Sequence, residues 1–375
     1  MNPLAGLAAP LAALAEEAKV LPASGMAEEY LQRFDLDEHY DRIVLGTDRR
    51  VTEIRERPGS AVYVSAPPVS RTEDHCFRRF LDGASRITFL GTLVDGTRAT
   101  PVVLAQIGAC ALERKDDGSL HVRHRDVRLC LVLDRKSLTD RAWERLEQTA
   151  RVAGIEAVDS AEKTEYTDNE AHGSTKEPRS RAAHVANWQM RQLELDVLRG
   201  VLGDRPEGSW LVLDGSLGKE FRQAEFPDGF LGVIKNFTKE VVFELPGGRG
   251  STKQVDLHAL IAKLPVTHRT AVFGRPDGRV AFWYVRLRGP IELDYPLMGV
   301  VKVEVPLRAG EYLDSELVDR LSSCLVAERT VATPGRDPRW HAHLYPIHLA
   351  ERAIRTAFVS HTVLRAAVKW PRMST

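Results

Sequence analysis

Apolar and polar positions follow three patterns along the chain. The first is a period of two. LHVRHRDVRLCLVLD, from Leu120, alternates in its first half, and before it come Phe77–Leu81, Ile87–Val94 and ATPVVLAQIGACALERK, bounded by DGT at 95–97 and DDGS at 116–119. Alternation broken by Asp-Gly pairs predicts strands. This stretch therefore reads as an antiparallel meander, with Asp82 at the end of its first strand.

The second pattern is helical. LTDRAWERLEQTARVAGI (138–155) predicts a helix that Thr139 or Asp140 can cap. A longer helix is expected from about Arg181 to Leu202, where Ala186, Met190, Leu193, Val197 and Val201 recur at steps of four, three, four and four. Residues 1–45 also look helical, with Met26, Tyr30, Leu31 and Phe34 on one side.

The third pattern is the short solid apolar run, which reads as a buried strand. Trp210–Leu213 is one, closed by Asp214-Gly215, and FLGVIKNF (230–237) is another. A glycine-rich loop, ELPGGRGSTKQ, leads to a short helix around 254–264, strands at 268–274, 278–287 and 296–306, and helices near 311–328 and 347–369. No internal repeat is visible. The order suits an α/β fold: one mixed sheet with helices on its faces. An N-terminal helical extension (1–69) precedes a main domain (70–375), interrupted by a polar, acidic, breaker-rich insertion at about 156–180 that reads as a flexible loop.

Composition narrows this picture only slightly. With 375 residues and 43% hydrophobic content the chain can bury a real core, and 52 acids balance 52 bases. Net charge therefore gives no bias toward a polyanion, although a local basic groove fits inside a neutral total. Four scattered cysteines without a C-x-x-C pair predict reduced thiols, as in the cytosol. The N-terminus lacks a basic leader and meets Glu16 and Glu17 at once, which argues for an amphipathic helix over a signal peptide. No apolar run approaches the roughly 18 residues of a membrane span. A cytoplasmic protein without membrane contact is expected.

The candidate chemistry lies in three carboxylates. Asp-Gly pairs at 95–96, 117–118, 228–229 and 277–278 sit between polar flanks and read as turns, whereas Asp82 and Asp214 each follow an apolar segment. Glu194 sits on the edge of the long helix's apolar stripe, where it costs desolvation unless it binds a cation or an arginine such as Arg191 or Arg199. Two strand-borne aspartates and a helix-borne glutamate can converge on Mg²⁺ or Mn²⁺, which hard oxygen ligands select over Zn²⁺. Two such ions roughly 3.5–4 Å apart hold a phosphodiester and activate a water. That layout is the one RNase H-like nucleases use.

The chain also resembles the NurA nucleases. FLDGASRITFLGTLV is similar to the first motif of that family, and QLELDVLRGVLGDRPEGSWLVLDGSLGKEF to the second, with Glu194 twenty residues before Asp214. FLGVIKNF, then FWYVRLRG with VVKVEVP, then DPRWHAHLYPIHLAERAIRTAF match later segments in order, so the resemblance covers residues 70–369. It implies an RNase H-like fold and a Mn²⁺- or Mg²⁺-dependent DNA nuclease that processes DNA ends. It also implies a homodimer bound to a HerA-type hexameric ATPase. By motif position Asp82, Glu194 and Asp214 carry the metal-ligand roles. The family adds a histidine in a YP…L…AH pattern, and here the chain departs from it: nothing after LYPIHLAERA supplies one. His348 is the first choice of substitute, ahead of His343 and His341.

Other residues have a chemical and a plain reading. Lys235 contacts a phosphate or pairs with an acid. In FWYVRLR, Phe282, Tyr284, Arg286 and Arg288 share one face, which either stacks a base and clamps a phosphate or is a solvated sheet face. Glu304 reads as structural or as a dimer contact. GGRGSTK lacks the spacing of a phosphate loop, so no nucleotide is expected. The pairs His121/His124 and His341/His343 have no cysteine or histidine to complete a zinc site. Two functions follow: a metal-dependent DNA nuclease, or a non-catalytic adaptor of the same fold that docks on the ATPase ring.

Overall fold

The computed structural model describes residues 4, 6–23, 49–59, 61–71, 75–161, 178–218, 228–247, 250–276, 278–289, 297–308, 310–331 and 340–371. The positions Met26, Tyr30, Leu31 and Phe34, most of the polar insertion, and Gly248 and Arg249 of the glycine-rich loop lie outside these. In chain order the elements are α1 (Ala8–Glu17), β1 (Lys19–Pro22), β2 (Arg50–Val51), β3 (Glu56–Arg57), β4 (Tyr63–Ser65), β5 (Phe77–Asp95), β6 (Arg98–Arg114), β7 (Leu120–Leu133), α2 (Asp140–Val152), β8 (Ile155–Asp159) and α3 (Pro178–Leu202). There follow β9 (Trp210–Asp214), β10 (Phe230–Ile234), β11 (Val242–Pro246), β12 (Thr252–Asp256), α4 (Leu257–Ala262), β13 (His268–Thr270), β14 (Phe273–Gly274), β15 (Val280–Arg286), β16 (Val300–Pro306), β17 (Leu313–Asp314), α5 (Ser315–Glu328), α6 (Tyr345–Arg355) and α7 (His361–Ala367).

Among the described residues one twelve-stranded mixed sheet dominates, in the order β4-β13-β15-β16-β10-β9-β5-β6-β7-β8, with β1 added to β5 and β14 to β15. The antiparallel meander is β5-β6-β7. Strands β9 and β10 run parallel to β5, and β16 then returns antiparallel to β10. Helices α3 and α6 both pack on the meander, from opposite sides. A Cβ added to Gly83 would meet Glu194 of α3, and one added to Gly108 would meet Ile354 of α6. Gly108 pairs with Ala84, the residue after Gly83, and successive strand residues face opposite ways. The fold is mixed α/β with helices flanking a large sheet.

Four differences from the sequence expectation have physical causes. Strand β5 does not stop at Asp82 but runs on as one strand of 19 residues. Its ladder with β6 passes through Asp82↔Cys110 and Gly83↔Ala109 without interruption, so this Asp-Gly pair is no turn. The chain does not stay helical after α1, because Lys19–Pro22 pairs with Val94–Gly91 at the edge of β5. The short helix begins only at Leu257, capped by Asp256, since 252–256 forms a hairpin with β11. The C-terminal helix is broken in two. Between α6 and α7 the Val359 backbone leaves the helix to bond buried Gln106, its N–H donating to Oε1 at 2.7 Å and its carbonyl accepting from Nε2 at 3.1 Å. Ser360 then caps α7. The four cysteines are free and buried. Among the described residues no helix is long and apolar enough to cross a membrane.

Candidate functional site

Parallel pairing of β5 with β9 sets two aspartates side by side. The register runs Phe80↔Val212 and Leu81↔Leu213, so Asp82 and Asp214 come next on neighbouring strands, whose backbones lie about 4.8 Å apart. In β10, Val233 pairs with Asp214, and Lys235 just beyond donates from Nζ to Asp214 Oδ2 at 2.7 Å. Alternation puts Asp82 on the side of Phe80 and Ala84, Asp214 with Val212, and Lys235 with Val233. These apolar neighbours share one core cluster with Ile347, Ala350 and Ile354 of α6. Asp82, Asp214 and Lys235 therefore face α6.

The turn that ends β9 is braced from two sides. Gly215 has φ +107°, and its N–H donates to Val233 O at 2.9 Å. Close beneath it, a Cβ on Gly232 would stand 2.6 Å from the Gly215 carbonyl oxygen. From α3, Arg191 donates to Ser216 O and, at 3.5 Å, to Asp214 O. From β16, Glu304 accepts the Leu217 N–H at 3.0 Å and is paired with Arg275 and with Lys302 at 2.9 Å. Glu304 is fully buried. It is a structural acid, not a surface one.

Asp82 is 5% exposed, and among the described residues nothing donates a hydrogen bond to its carboxylate. Burial pushes its pKa well above the usual carboxylate range and the Asp214 charge adds to this; Lys235 opposes the rise, while Glu351 of α6 and then Glu194 reinforce it. Two carboxylates this close favour any cation that can sit between them.

Glu194 comes to β5 from the other face. Apolar residues surround it on α3 beyond the single expected stripe, Leu195 and Leu198 among them, so it is 2% exposed rather than at a rim. Its Oε2 accepts from Arg191 at 2.7 Å, while Arg199 pairs with Asp196 instead. Its Oε1 stands too close for a Cβ on Gly83 to fit. Gly83→Ala is accordingly expected to cost about 1–3 kcal/mol and to displace Glu194, because Arg191 leaves the glutamate little room to yield. Urea denaturation of the variant checks this, and an unchanged midpoint would show that the site relaxes.

Helix α6 brings the remaining groups. Half-buried His348 has its pKa lowered, first by burial; Glu351 opposes this, while His343, Arg352 and Lys235 push it further down. His348 thus lies within the field of Lys235. His343 is buried and His341 half-buried, just outside α6. Glu351 was not singled out from sequence. The signal was present: it lies three residues after His348 on the predicted helix, the spacing that puts two side chains on one face.

The proposed DNA contacts Tyr284 and Arg286 need correction. The alternation of β15 is as expected, but both faces of the strand are covered. Tyr284 is 1% exposed, packed against Phe237, Phe243 and Phe282. Arg286 is 5% exposed and spends its guanidinium on the carbonyls of Ile261, Leu264 and Met298. Neither side chain can meet a nucleic acid from there. On β7, His121 and His124 lie in the exposed half of the strand.

Among the described residues no three His, Cys, Asp or Glu side chains stand close enough to form a ready-made metal cage. The acids adjoin across the sheet, with Lys235 and Arg191 compensating two of them. Compared with models of known protein families and with curated proteins, the chain matches none.

Proposed function

We propose that the chain is a divalent-cation-dependent DNA nuclease of the NurA type, built on an RNase H-like core. The observation that carries this reading is Asp82, a buried carboxylate to which nothing donates among the described residues, next to Asp214. Such a charge is costly unless a cation meets it, and a set of carboxylate oxygens fits Mn²⁺ or Mg²⁺. Strand order supports the fold assignment: β7-β6-β5-β9-β10, with the first three antiparallel, β9 and β10 parallel to β5, and α3 connecting the two parts.

When bound, the ion supplies positive charge to a phosphodiester and acidifies a water. Under this reading Asp82 and Asp214 hold it, and the motif resemblance would add Glu194, which here approaches β5 from the opposite face. Arg191 fixes the turn that carries Asp214, and Lys235 sets the orientation of the Asp214 carboxylate through Oδ2. His348, kept neutral by its lowered pKa, can take a proton at a ring nitrogen. The DNA substrate, a homodimeric state and a HerA-type hexameric ATPase as the translocating partner complete the proposal, and the motif resemblance supports them.

The test is cleavage of linear double- and single-stranded DNA by the purified chain, with Mn²⁺, Mg²⁺ or a chelator, alone and with the ATPase. Cleavage that needs Mn²⁺ or Mg²⁺ and stops with chelator is expected. One observation favours the adaptor instead: Lys235 and Arg191 already neutralise Asp214 and Glu194 from within the chain. Binding to the ATPase ring without cleavage under any of these conditions would select that second reading.

A further inference from the structure

We propose that Cys76 and Cys324 form a redox site, a thiol pair that hydrogen peroxide oxidises to a disulfide and that thiols reduce again. The two residues are 248 positions apart and meet in the core, where Cys76 Sγ donates to Cys324 Sγ at 3.4 Å. Cys76 is the residue before β5, and Cys324 lies on α5. Their neighbours hold the two segments in register. His75, just before Cys76, and Glu328, one helical turn after Cys324, pair at 3.0 Å through Nε2 and Oε1, and Arg114 of β6 binds the same carboxylate. The His75 ring is turned for this by its Nδ1, which accepts the Phe77 N–H at 3.2 Å. Nearer the pair, Ser322 of α5 accepts from Trp283 Nε1 of β15 at 3.0 Å. A disulfide is about 2.05 Å long, so the sulfurs need to close by only about 1.4 Å.

Charge decides which sulfur reacts first. The hydrogen bond from Cys76 pulls Cys324 down to about 7; burial opposes this, while His75 and Arg320 add to the drop. The same bond, together with burial, raises Cys76. The thiolate, which is the attacking form, therefore belongs to Cys324. It attacks one peroxide oxygen, the O–O bond breaks, and the departing hydroxide takes up the proton that Cys324 gave up, leaving as water. Cys76 then attacks the sulfenic sulfur of Cys324. The S–S bond forms as the S–O bond breaks, and the second hydroxide leaves as water with the Cys76 proton. Two thiols and one peroxide give one disulfide and two waters, and the two electrons lost by sulfur reduce the peroxide. Burial of both thiols, 4% and 0% exposed, shuts out bulky disulfides and selects this small oxidant. Cys110 and Cys130 are the contrast: burial above all pushes them up to about 11 and about 12, so they stay protonated. The bond would tie α5 to the root of both aspartate strands, because the Cys76 carbonyl already accepts the Trp210 N–H of β9 at 2.8 Å.

The full chain, treated with hydrogen peroxide, alkylated and digested without reductant, tests this by mass spectrometry. Free thiols counted in denaturant should fall from four to two. Peptides carrying Cys76 and Cys324 should appear joined, at their summed mass less two hydrogens, and dithiothreitol should restore all four thiols. The oxidised chain should melt about 2–6 °C above the reduced one, because the bond closes a very long loop. Cys130→Ala should still form the cross-link; Cys76→Ala should not, and should leave Cys324 as a sulfenic acid that dimedone traps. The peptide map of the parent chain decides the matter even if Cys76→Ala fails to fold. A count that stays at four, a bond to Cys110 or Cys130 instead, or a cross-linked chain that melts below the reduced one would each overturn the proposal. Metal binding and cleavage enter none of these readouts, so the nuclease reading stands or falls separately.

Discussion

Asp82→Asn is expected to lose cleavage and gain stability together. A divalent ion contributes several kcal/mol of charge stabilisation to phosphodiester hydrolysis, so removing a ligand should lower the rate about a thousandfold or more. The same substitution replaces a buried carboxyl group, to which nothing donates among the described residues, by a neutral amide of the same shape, on a row already facing Asp214. Relief of its repulsion with Asp214 should raise the melting temperature, by about 1–2 °C for each kcal/mol. Mn²⁺ should then raise the melting temperature of the parent chain and leave that of the variant where it is, since a ligand stabilises only the form that binds it. Rates and melting curves with and without Mn²⁺ check all three statements. A variant that melts lower than the parent would show that Asp82 is held by structure rather than reserved for a cation.

Glu304→Gln should give the largest loss of stability. The carboxylate is fully buried; burial works against its charge, yet Arg275 above all, then Lys302 and the Leu217 N–H, hold its pKa down to about 2, against the ordinary 4.5. Removing one member of such a set strands the others: Arg275 would be left buried without its counter-charge, a loss of about 3–5 kcal/mol. The sign of the pH dependence follows. A depressed carboxylate pKa contributes stability that is fully present above the unfolded value and disappears as pH falls toward the folded one. The parent chain should therefore lose this contribution between about pH 5 and pH 2, and the variant should show a flatter acid limb. Urea unfolding across that range measures both. Because Glu304 also holds the Leu217 N–H, the variant should cleave more slowly even where it remains folded.

Much of this arrangement was legible in the sequence. The meander, the long helix over 178–202 and the Asp214 strand all follow from period and from solid apolar runs, because each is built from near-neighbour pattern. What pattern cannot supply is what covers a surface. Tyr284 and Arg286 alternate like a half-solvated strand, and only packing by Phe237, Phe243 and the end of α4 shows that their face is interior. The Asp82-Gly83 pair looks like a turn locally. In the fold Gly83 is there because Glu194 needs the space a side chain would take, a requirement set more than a hundred residues away. The break at Thr356–Val359 likewise answers to Gln106 rather than to its own neighbours. Glu351 acts on Asp82 only because of which row of the sheet α6 crosses, and no local pattern states that.

That crossing also sets a timetable. Asp82 lies in the first quarter of the chain and α6 in the last. Contacts spanning such a separation close late in assembly, and domains emerge from the ribosome N-terminus first. A nascent chain would expose Asp82 and Asp214 long before α6 could settle over them. Under the proposed function, competence arrives only once α6 has been made, so translation products that stop before it would carry the two aspartates without the power to cut.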